Sequence, residues 1–362
     1  MERFERQIIL PELGKKGQQK LQSAKVLVVG AGGLGSPAIL YLAAAGVGTI
    51  GIADGDCVTT TNLNRQILFG HNDVGSPKAS VAARFIADRF PDIQIEAYQE
   101  YLTVENIPVI LPKYDLVIDG SDNFSTRYML NDASVLFGKP LVYGAIYRFE
   151  GQIALFNAGK ESANYRDLYP QIPTPGEITN CSEAGVLGVL PGIIGTLQAT
   201  EAIKWIAEIG ESLINKVLFC NLKDHSFYEI DLVPNEDAQK NRPKTLEVFL
   251  KTDYSVDCLT VADIGWKEAL VSSNPKSSVF IDIREPDEMP RWSNSQCLEI
   301  PYGELEEKAE LFSEETSVFL FCQHGIRSRP AAVELRKILR RNSIYSVTGG
   351  VEHPDSPVKQ LI

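Results

Sequence analysis

A glycine-rich loop stands near the start of the chain, directly after a short apolar run. It reads GAGGLG, and its glycines are Gly30, Gly32, Gly33 and Gly35. Glycine lets the backbone approach a phosphate closely, and a helix N-terminus offers N–H groups and positive potential. Asp54 ends the next apolar run, where a carboxylate can bind ribose hydroxyls. Taken alone, this pattern is typical of a nicotinamide-dependent oxidoreductase, and that alternative stays open here.

Two cations and a carboxylate follow the glycine loop along the chain. Arg65 lies in the sequence NLNRQ, and Lys78 opens the next segment with helical spacing. Arginine offers a planar fork to phosphate oxygens and lysine a point charge, which suits a triphosphate better than a nicotinamide. Asp122 follows a further apolar run, where an aspartate can hold Mg²⁺ beside phosphates. The alternative is that both cations are solvated surface charges.

A cysteine loop near the other end of the sequence could carry different chemistry. Cys322 opens the sequence CQHGIR, which follows the apolar run Val318–Phe321. Pro330 stands in the first turn of the helix that the next segment predicts. A thiol in such a loop faces backbone N–H groups and a helix N-terminus, and both favour the nucleophilic thiolate.

Alternating strands and helices must position these residues. The pattern predicts an α/β fold with a Rossmann-like, doubly wound sheet, followed by a smaller α/β domain. Predicted strands cover 26–29, 49–53, 116–118, 140–145, 216–219, 227–232, 279–283 and 318–321, and predicted helices cover 36–45, 78–90, 190–208 and 330–339. We expect a first domain at 1–233, a polar linker at 234–245 and a second domain at 246–362. Residues 157–185 are predicted to form a long functional loop.

Six motifs occur in order and together resemble the E1-like superfamily of MoeB, ThiF and HesA. They are ERQIIL at 5–10, GAGGLGSP at 30–37, DGD at 54–56, NLNRQ at 62–66, GSPK at 75–78 and GSDN at 120–123. The resemblance covers roughly residues 1–232. It implies an adenylyltransferase that joins the terminal glycine of a ubiquitin-like sulfur carrier to AMP and releases pyrophosphate. Positioning and charge neutralisation do most of the work in such displacements.

The resemblance also implies roles for single residues. Arg6 would reach the ATP of the other subunit in a homodimer, and Asp122 would hold Mg²⁺ through the ATP. The residues implied to bind ATP are Gly30, Gly32, Gly33, Gly35, Asp54, Asp56, Asn62, Arg65, Gln66, Lys78, Asp122 and Asn123. Of these, Arg65, Lys78 and Asp122 are expected to act in catalysis, together with Arg6.

The chain departs from the family pattern at a zinc site. Many relatives carry two CxxC pairs that bind a structural zinc, and the first pair would fall near Asn164–Asp167, where this chain has no cysteine. Such a site needs four soft or imidazole ligands, so we expect no structural zinc. Cys181 stands just before the sequence SEAGV, where a family cysteine can attack the adenylated carrier. The alternative is a bystander cysteine.

The second domain resembles a rhodanese. The cysteine loop is similar to the rhodanese active loop, and DIRE at 282–285 is similar to a rhodanese strand end. The spacing from Cys322 to Arg327 favours sulfur transfer over phosphate hydrolysis. The usual stretch before the loop is absent, however, and Gln323 replaces a frequent arginine. The alternative is therefore an inactive carrier-docking module.

Composition limits the choice of partners and compartment. The 362 residues carry a formal net charge of −12, and the pI is near 5.0. This balance argues against sequence-independent nucleic-acid binding and against docking on anionic lipid. Six scattered cysteines without a CxxC pair, and no signal or membrane segment, favour the cytoplasm. Expected partners are a carrier of the MoaD or ThiS type ending in Gly-Gly and a persulfide donor such as a cysteine desulfurase. The product would supply molybdopterin or thiamine biosynthesis.

Overall fold

The computed structural model describes most of the chain. The described residues are 2–170, 185–235, 237–238, 240, 242–254, 261–274, 277–312, 316–339 and 343–359. Cys181 lies outside them. The chain divides into two compact units, and in the described part the division falls between Tyr254 and Val261. Among these residues, no helix is both long enough and apolar enough to cross a membrane.

An eight-stranded sheet forms the centre of the first unit. Its strands are β1 (Lys25–Val29), β2 (Thr49–Ala53), β3 (Gln94–Tyr98), β4 (Leu116–Asp119), β5 (Leu141–Tyr147), β6 (Glu150–Phe156), β7 (Lys216–Asn221) and β8 (Ser226–Asp231). They lie in the order β3-β2-β1-β4-β5-β6-β7-β8. The first five are parallel, and β6, β7 and β8 continue the sheet in antiparallel fashion. The predicted doubly wound sheet is confirmed, with an antiparallel extension.

Helices cover both faces of this sheet. They are α1 (Glu5–Ile8), α2 (Gly14–Ser23), α3 (Gly35–Ala45), α4 (Lys78–Arg89), α5 (Ile107–Ile110), α6 (Phe124–Leu136), α7 (Tyr165–Leu168), α8 (Val189–Ala207) and α9 (Leu246–Lys251). Side chains alternate across a strand, so Val26 and Val28 of β1 pack in the core with α2, α3, α4 and α8. Leu27 and Val29 pack in the opposite core with α5 and α6.

The domain boundary differs from the one predicted. Residues from 246 onward were assigned to the second domain, but α9 and Tyr254 belong to the first unit. Phe249 of α9 is buried in the core on the α6 side of the sheet. The Tyr254 hydroxyl donates to Asp132 Oδ2 of α6 at 2.8 Å. The linker prediction relied on the polar composition of 234–244, and the short apolar face of α9 gave no sign of where it packs.

The second unit is a smaller parallel sheet. Its strands are β9 (Ala262–Ile264), β10 (Ser278–Asp282), β11 (Cys297–Glu299), β12 (Ser317–Phe321) and β13 (Ile344–Val347), in the order β11-β10-β12-β13-β9. Its helices of more than one turn are α10 (Trp266–Ser272) and α11 (Ser328–Leu339) in the described part. The predicted smaller α/β unit is present, and Cys322 directly follows β12 while α11 begins at Ser328.

Candidate active site

A cavity of about 230 Å³ opens at the carboxyl ends of β1, β2 and β4. Ligands bind at this edge of open α/β sheets, where the strand order reverses. Ten of the residues implied to bind ATP line it: Gly30, Gly32, Gly33, Asp54, Asp56, Arg65, Gln66, Lys78, Asp122 and Asn123. The structure thus brings together residues that lie up to about ninety positions apart, whereas Gly35, Asn62 and Arg6 are not part of this wall.

Close backbone contacts explain the glycines at the ends of the loop. Gly30 has φ +90°, and a Cβ on it would lie 2.7 Å from the carbonyl oxygen of Gly120. A Cβ on Gly35 would lie 1.8 Å from the carbonyl oxygen of Gly30. Gly35 therefore acts by allowing the loop to close tightly over the start of α3, rather than by facing the cavity.

Asp54 supports the glycine loop from the end of β2. Its Oδ2 accepts from the Ala31 amide at 2.7 Å, and its Oδ1 accepts from the Asp56 amide at 2.8 Å. Burial raises the pKa of Asp54, and these two hydrogen bonds oppose that effect. Because both oxygens hold backbone amides, Asp54 fixes the loop that faces the cavity. Its role toward ribose stays a prediction.

Arg65 and Gln66 are positioned by the turn that precedes them. The carbonyl oxygen of Asn62 accepts from both of their amides, at 3.1 and 2.9 Å. Asn62 Oδ1 in turn accepts from the Thr59 amide at 3.2 Å. These contacts of Asn62 orient its neighbours, and its implied role in ATP binding stays a prediction.

The side chains of Arg65 and Gln66 have unused binding capacity. Arg65 Nη1 donates to the carbonyl of Thr61 and the side-chain oxygen of Asn64, both neutral groups. No carboxylate pairs with Arg65 among the residues that the structure describes. Gln66 is 4% exposed, and its Oε1 has no hydrogen-bond partner there. A buried acceptor without a partner is costly, so Gln66 Oε1 fits a hydrogen-bond donor of a ligand, such as a hydroxyl or amino group. The Arg65 guanidinium fits an anionic part of the same ligand.

Lys78 begins α4 with a buried side chain. Its Nζ donates to Asp56 Oδ2 at 2.7 Å, and its backbone amide donates to the Asp56 carbonyl. Burial raises the pKa of Asp56, but hydrogen bonds from Lys78 and Tyr101 outweigh burial and hold it below the usual value. Lys78 is therefore an ordered cation on the cavity wall.

The end of β4 supplies the remaining predicted residues. Asp122 is an exposed carboxylate on the wall. Asn123 caps α6, because its Oδ1 accepts from the Thr126 amide at 2.8 Å. No group of three or more His, Cys, Asp or Glu that could hold a metal occurs among the described residues. A Mg²⁺ ion would thus use Asp122 and mostly the oxygens of phosphates and water, which is its usual preference.

Arg127 and Tyr101 are among the wall residues that were not predicted from the sequence. Arg127 lies four residues after Asn123 on α6, and its Nη2 donates to the carbonyl of Ser121 at 3.1 Å. It lies near Asp119, whose pKa burial raises and Arg127 lowers. Residues four positions apart lie on the same face of a helix, so the spacing from Asn123 could have predicted that Arg127 lines the cavity. Tyr101 follows β3, and no motif in the sequence around it predicts that it lines the cavity.

Arg6 and Cys181 are not placed at this cavity by the described structure. Arg6 is an exposed residue of the short helix α1. The cysteine lies outside the described residues. Their implied roles therefore stay predictions.

Cys322 occupies the turn between β12 and α11 in the second unit. Its side chain is buried, and Sγ lies 3.8 Å from Ser328 Oγ. Gly350 packs against it so closely that a Cβ there would lie 2.0 Å from the Cys322 carbonyl oxygen. The predicted strand–loop–helix setting of the thiol is present.

Charged groups around this loop are paired. Arg284 is fully buried against Asp282, and its Nη1 donates to Gln323 Oε1 at 2.9 Å. Arg327 forms a two-pronged ion pair with Glu288. An arginine in place of Gln323 would therefore bring a second positive charge next to the buried Arg284 guanidinium. This repulsion gives a physical reason for a neutral residue beside the thiol.

Comparisons with known proteins agree with this architecture. The ThiF family matches residues 4–242. The probable adenylyltransferase/sulfurtransferase MoeZ of Mycobacterium tuberculosis is 38% identical over 366 residues, covering 96% of this chain and 91% of MoeZ. The sulfur carrier protein adenylyltransferase of Thermus thermophilus is 48% identical over 239 residues, covering 65% of this chain and 88% of its own length. The crystal structure of E. coli MccB with ATP has a TM-score of 0.54 at 23% identity, covering 61% of this chain and 67% of that one, which supports the fold.

Proposed function

The chain belongs to the ThiF family, and from that premise we propose that it is an ATP-dependent adenylyltransferase acting on a small sulfur carrier. The terminal glycine carboxylate of the carrier would attack the α-phosphorus of ATP. An acyl–AMP anhydride forms and pyrophosphate leaves. Relatives that align with 96% of this chain are named adenylyltransferases, so the oxidoreductase alternative has no support.

One observation carries the proposal. Arg65, with no carboxylate partner in the described part of the chain, faces the same cavity as the glycine loop and Lys78. The loop amides and the N-terminus of α3 would receive phosphate oxygens. Arg65 and Lys78 would neutralise the charge that moves onto the leaving pyrophosphate. Mg²⁺, held by Asp122 and the phosphates, would supply further charge neutralisation.

Carrier-dependent exchange of labelled pyrophosphate into ATP tests this function. The assay uses the intact protein and a carrier ending in Gly-Gly. Arg65→Ala should lower exchange at least 100-fold, since one charged contact to a transition state is worth about 3 kcal/mol. Arg84→Ala is the matched control, because Arg84 is exposed, paired with Asp73 and not among the residues that line the cavity. Normal exchange by Arg65→Ala would refute the site assignment.

Sulfur transfer is the second part of the proposal. Cys322 would accept a sulfur atom from a persulfide donor such as a cysteine desulfurase. Its terminal sulfur would displace AMP from the carrier, giving an acyl disulfide. A second thiol, for which Cys181 is the candidate, would then attack the Cys322 sulfur. That step releases a carrier thiocarboxylate and leaves a protein disulfide for an external thiol to reduce. The thiocarboxylate would serve molybdopterin or thiamine biosynthesis.

Cys322→Ala separates the two activities. It should abolish thiocarboxylate formation from a persulfide donor, seen by mass spectrometry as loss of the change from –OH to –SH on the carrier. Carrier adenylation should remain, because Cys322 belongs to the other compact unit. Cys297→Ala is the control, since Cys297 lies on β11 in the same unit but away from the loop. A normal rate with Cys322→Ala would make Cys181 or an external persulfide the sulfur source.

A further inference from the structure

The carboxylate of Asp56 stands between two donors on the cavity wall. Lys78 Nζ donates to Oδ2 at 2.7 Å, and the Tyr101 hydroxyl donates to Oδ1. All three side chains line the cavity. Asp56 is the only carboxylate within ion-pair distance of Lys78 among the described residues. The position of this lysine ammonium thus depends on where Asp56 holds its carboxylate.

Tyr101 is itself held in place from two sides. Its ring lies over Gly55, where an added Cβ would be 2.7 Å from the ring. Its carbonyl oxygen accepts from Asn106 Nδ2 at 2.9 Å, so the backbone after β3 is fixed as well. The ring remains largely exposed, so burial is not what keeps this tyrosine in position.

The three side chains differ in their freedom to move. Lysine has a flexible stem of four carbons and a charge that acts as a point. Asp56 has half of its side chain exposed, so its carboxylate could turn toward water. A hydrogen bond to a charged acceptor is about twice as strong as a neutral one. The Tyr101 hydroxyl therefore restrains Asp56, and Asp56 restrains Lys78.

We propose that Tyr101 is a positioning residue for the adenylation reaction, acting through Asp56 to hold the Lys78 ammonium at the phosphate side of the cavity. This inference rests on the proposed function. The phenol is suited to the role because the hydrogen bond to Asp56 raises the pKa of Tyr101 to about 12. It therefore stays a neutral donor over the range in which enzymes are assayed.

Tyr101→Phe tests the proposal by removing the hydroxyl alone. The kcat of carrier-dependent exchange should fall about tenfold, the equivalent of roughly 1.4 kcal/mol for a hydrogen bond to a charged group. The KM for ATP should change less than threefold, since the ordered lysine matters most when charge moves onto pyrophosphate. Tyr98→Phe is the matched control, because that hydroxyl bonds to Glu96 and Tyr114 and is not on the cavity wall.

A double-mutant cycle decides whether Tyr101 acts through Asp56. In an Asp56→Ala background, adding Tyr101→Phe should reduce kcat by less than twofold, because coupled residues are not additive. A full tenfold loss in both backgrounds would overturn the proposal, as would unchanged kcat in the single variant. Equal thermal midpoints for Tyr101→Phe and the wild type separate positioning from misfolding.

Failure of the proposed function gives a different result. A wild-type protein without exchange activity refutes adenylation itself. The ATP dissociation constants of the wild type, Tyr101→Phe, Asp56→Ala and the double variant, measured by calorimetry, then test the coupling directly. Additive changes in those constants would overturn the link between Tyr101 and Asp56, and coupled changes would support it.

Discussion

At the scale of single residues, Arg65 and Lys78 carry similar charges but are held differently. Lys78 is buried and paired with Asp56, whereas Arg65 contacts only neutral oxygens in the described part of the structure. Lys78 therefore needs its partner to reach a fixed position. Arg65 can turn toward an anion without breaking an ion pair. This difference makes Arg65 the better probe of phosphate binding and Lys78 the better probe of preorganisation.

Asp122 offers a test of the Mg²⁺ assignment at the same scale. Asp122→Asn should raise the Mg²⁺ concentration needed for half-maximal exchange several-fold, because one anionic oxygen ligand is lost. The free energy of unfolding should change by less than about 0.5 kcal/mol, since the side chain is exposed. A titration of exchange against Mg²⁺ measures the first effect, and urea unfolding measures the second. An unchanged Mg²⁺ requirement would remove Asp122 from the metal site.

At the scale of elements, a buried cluster of Asp132, Arg166 and Tyr254, called the clasp below, joins three segments of the first unit. Arg166 of α7 donates twice to Asp132 of α6, at 2.8 and 2.7 Å, and both side chains are buried. Tyr254, beyond α9, donates to the same carboxylate. The clasp fixes α6, whose N-terminal end carries the N-cap Asn123 and Arg127 of the cavity wall. Through α6, residues remote in sequence therefore support the site.

Removing members of this clasp should have graded effects on stability. Tyr254→Phe should lower the free energy of unfolding by roughly 1–3 kcal/mol, the range for a lost hydrogen bond to a charged group. Arg166→Ala should cost about 3–5 kcal/mol, because it leaves a buried carboxylate unpaired. Urea unfolding followed by circular dichroism measures both. Equal small losses would show that Asp132 is solvated after the change and that the clasp is weak.

The family resemblance implies a zinc site in this same region, near Asn164–Asp167, so the metal content of the protein is a further test. Asn164 and Asp167 cap α7, and Asp167 Oδ1 also accepts from the Asn235 amide at 2.7 Å. Polar contacts thus tie α7 to the chain after β8. Purified protein should hold far less than one zinc per chain by elemental analysis. Stoichiometric zinc that survives chelation would contradict this prediction.

In the second unit, the ion pair between Glu288 and Arg327 should make the loop after Cys322 sensitive to acid. The hydrogen bond from Arg327 is the main cause that lowers the pKa of Glu288 to about 2. A depressed carboxyl pKa stabilises the fold above the unfolded-state value of about 4.3 and loses that effect as pH falls toward the folded value.

Glu288→Gln tests this pH dependence. The free energy of unfolding of the variant should be lower than that of the wild type, by the same difference at pH 7 and at pH 5. This difference in unfolding free energy should shrink below about pH 4.3 and vanish near pH 2, because protonated Glu288 no longer pairs with Arg327. Urea unfolding followed by tryptophan fluorescence, to which Trp266 and Trp292 of this unit contribute, gives this difference in free energy. A difference in unfolding free energy that stays constant down to pH 2 would exclude a role for the charge of Glu288.

At the scale of the whole molecule, the expected homodimer places Arg6 of one chain at the ATP site of the other. Neither Arg6→Ala nor Arg65→Ala protein should exchange pyrophosphate alone. After subunit exchange, half of the dimers are hybrids with one intact site, so a mixture should regain about a quarter of wild-type activity. Hybrid formation is verified with differently tagged chains. No recovery in proven hybrids would exclude action of Arg6 across the interface.

The sequence by itself determined the α/β architecture, the family resemblance and ten of the residues that line the cavity. Parallel strands bring their carboxyl ends to one edge of the sheet. Glycine loop, Arg65, Lys78 and Asp122 all follow such strands or the turns after them, so their convergence could be inferred from order along the chain. The chemistry of these side chains also follows from residue type, because charge and donor geometry do not depend on the fold.

Tertiary structure alone decided which residues act through others. Tyr101 meets Asp56 across 45 positions, and Tyr254 meets Asp132 across 122. Neither pair has a local pattern, because side-chain contacts between distant segments depend on how the elements pack. The same reason moved α9 into the first unit. It also gives Asn62, Asn123 and Gly35 contacts that shape the backbone around the cavity, while their implied roles in ATP binding stay predictions.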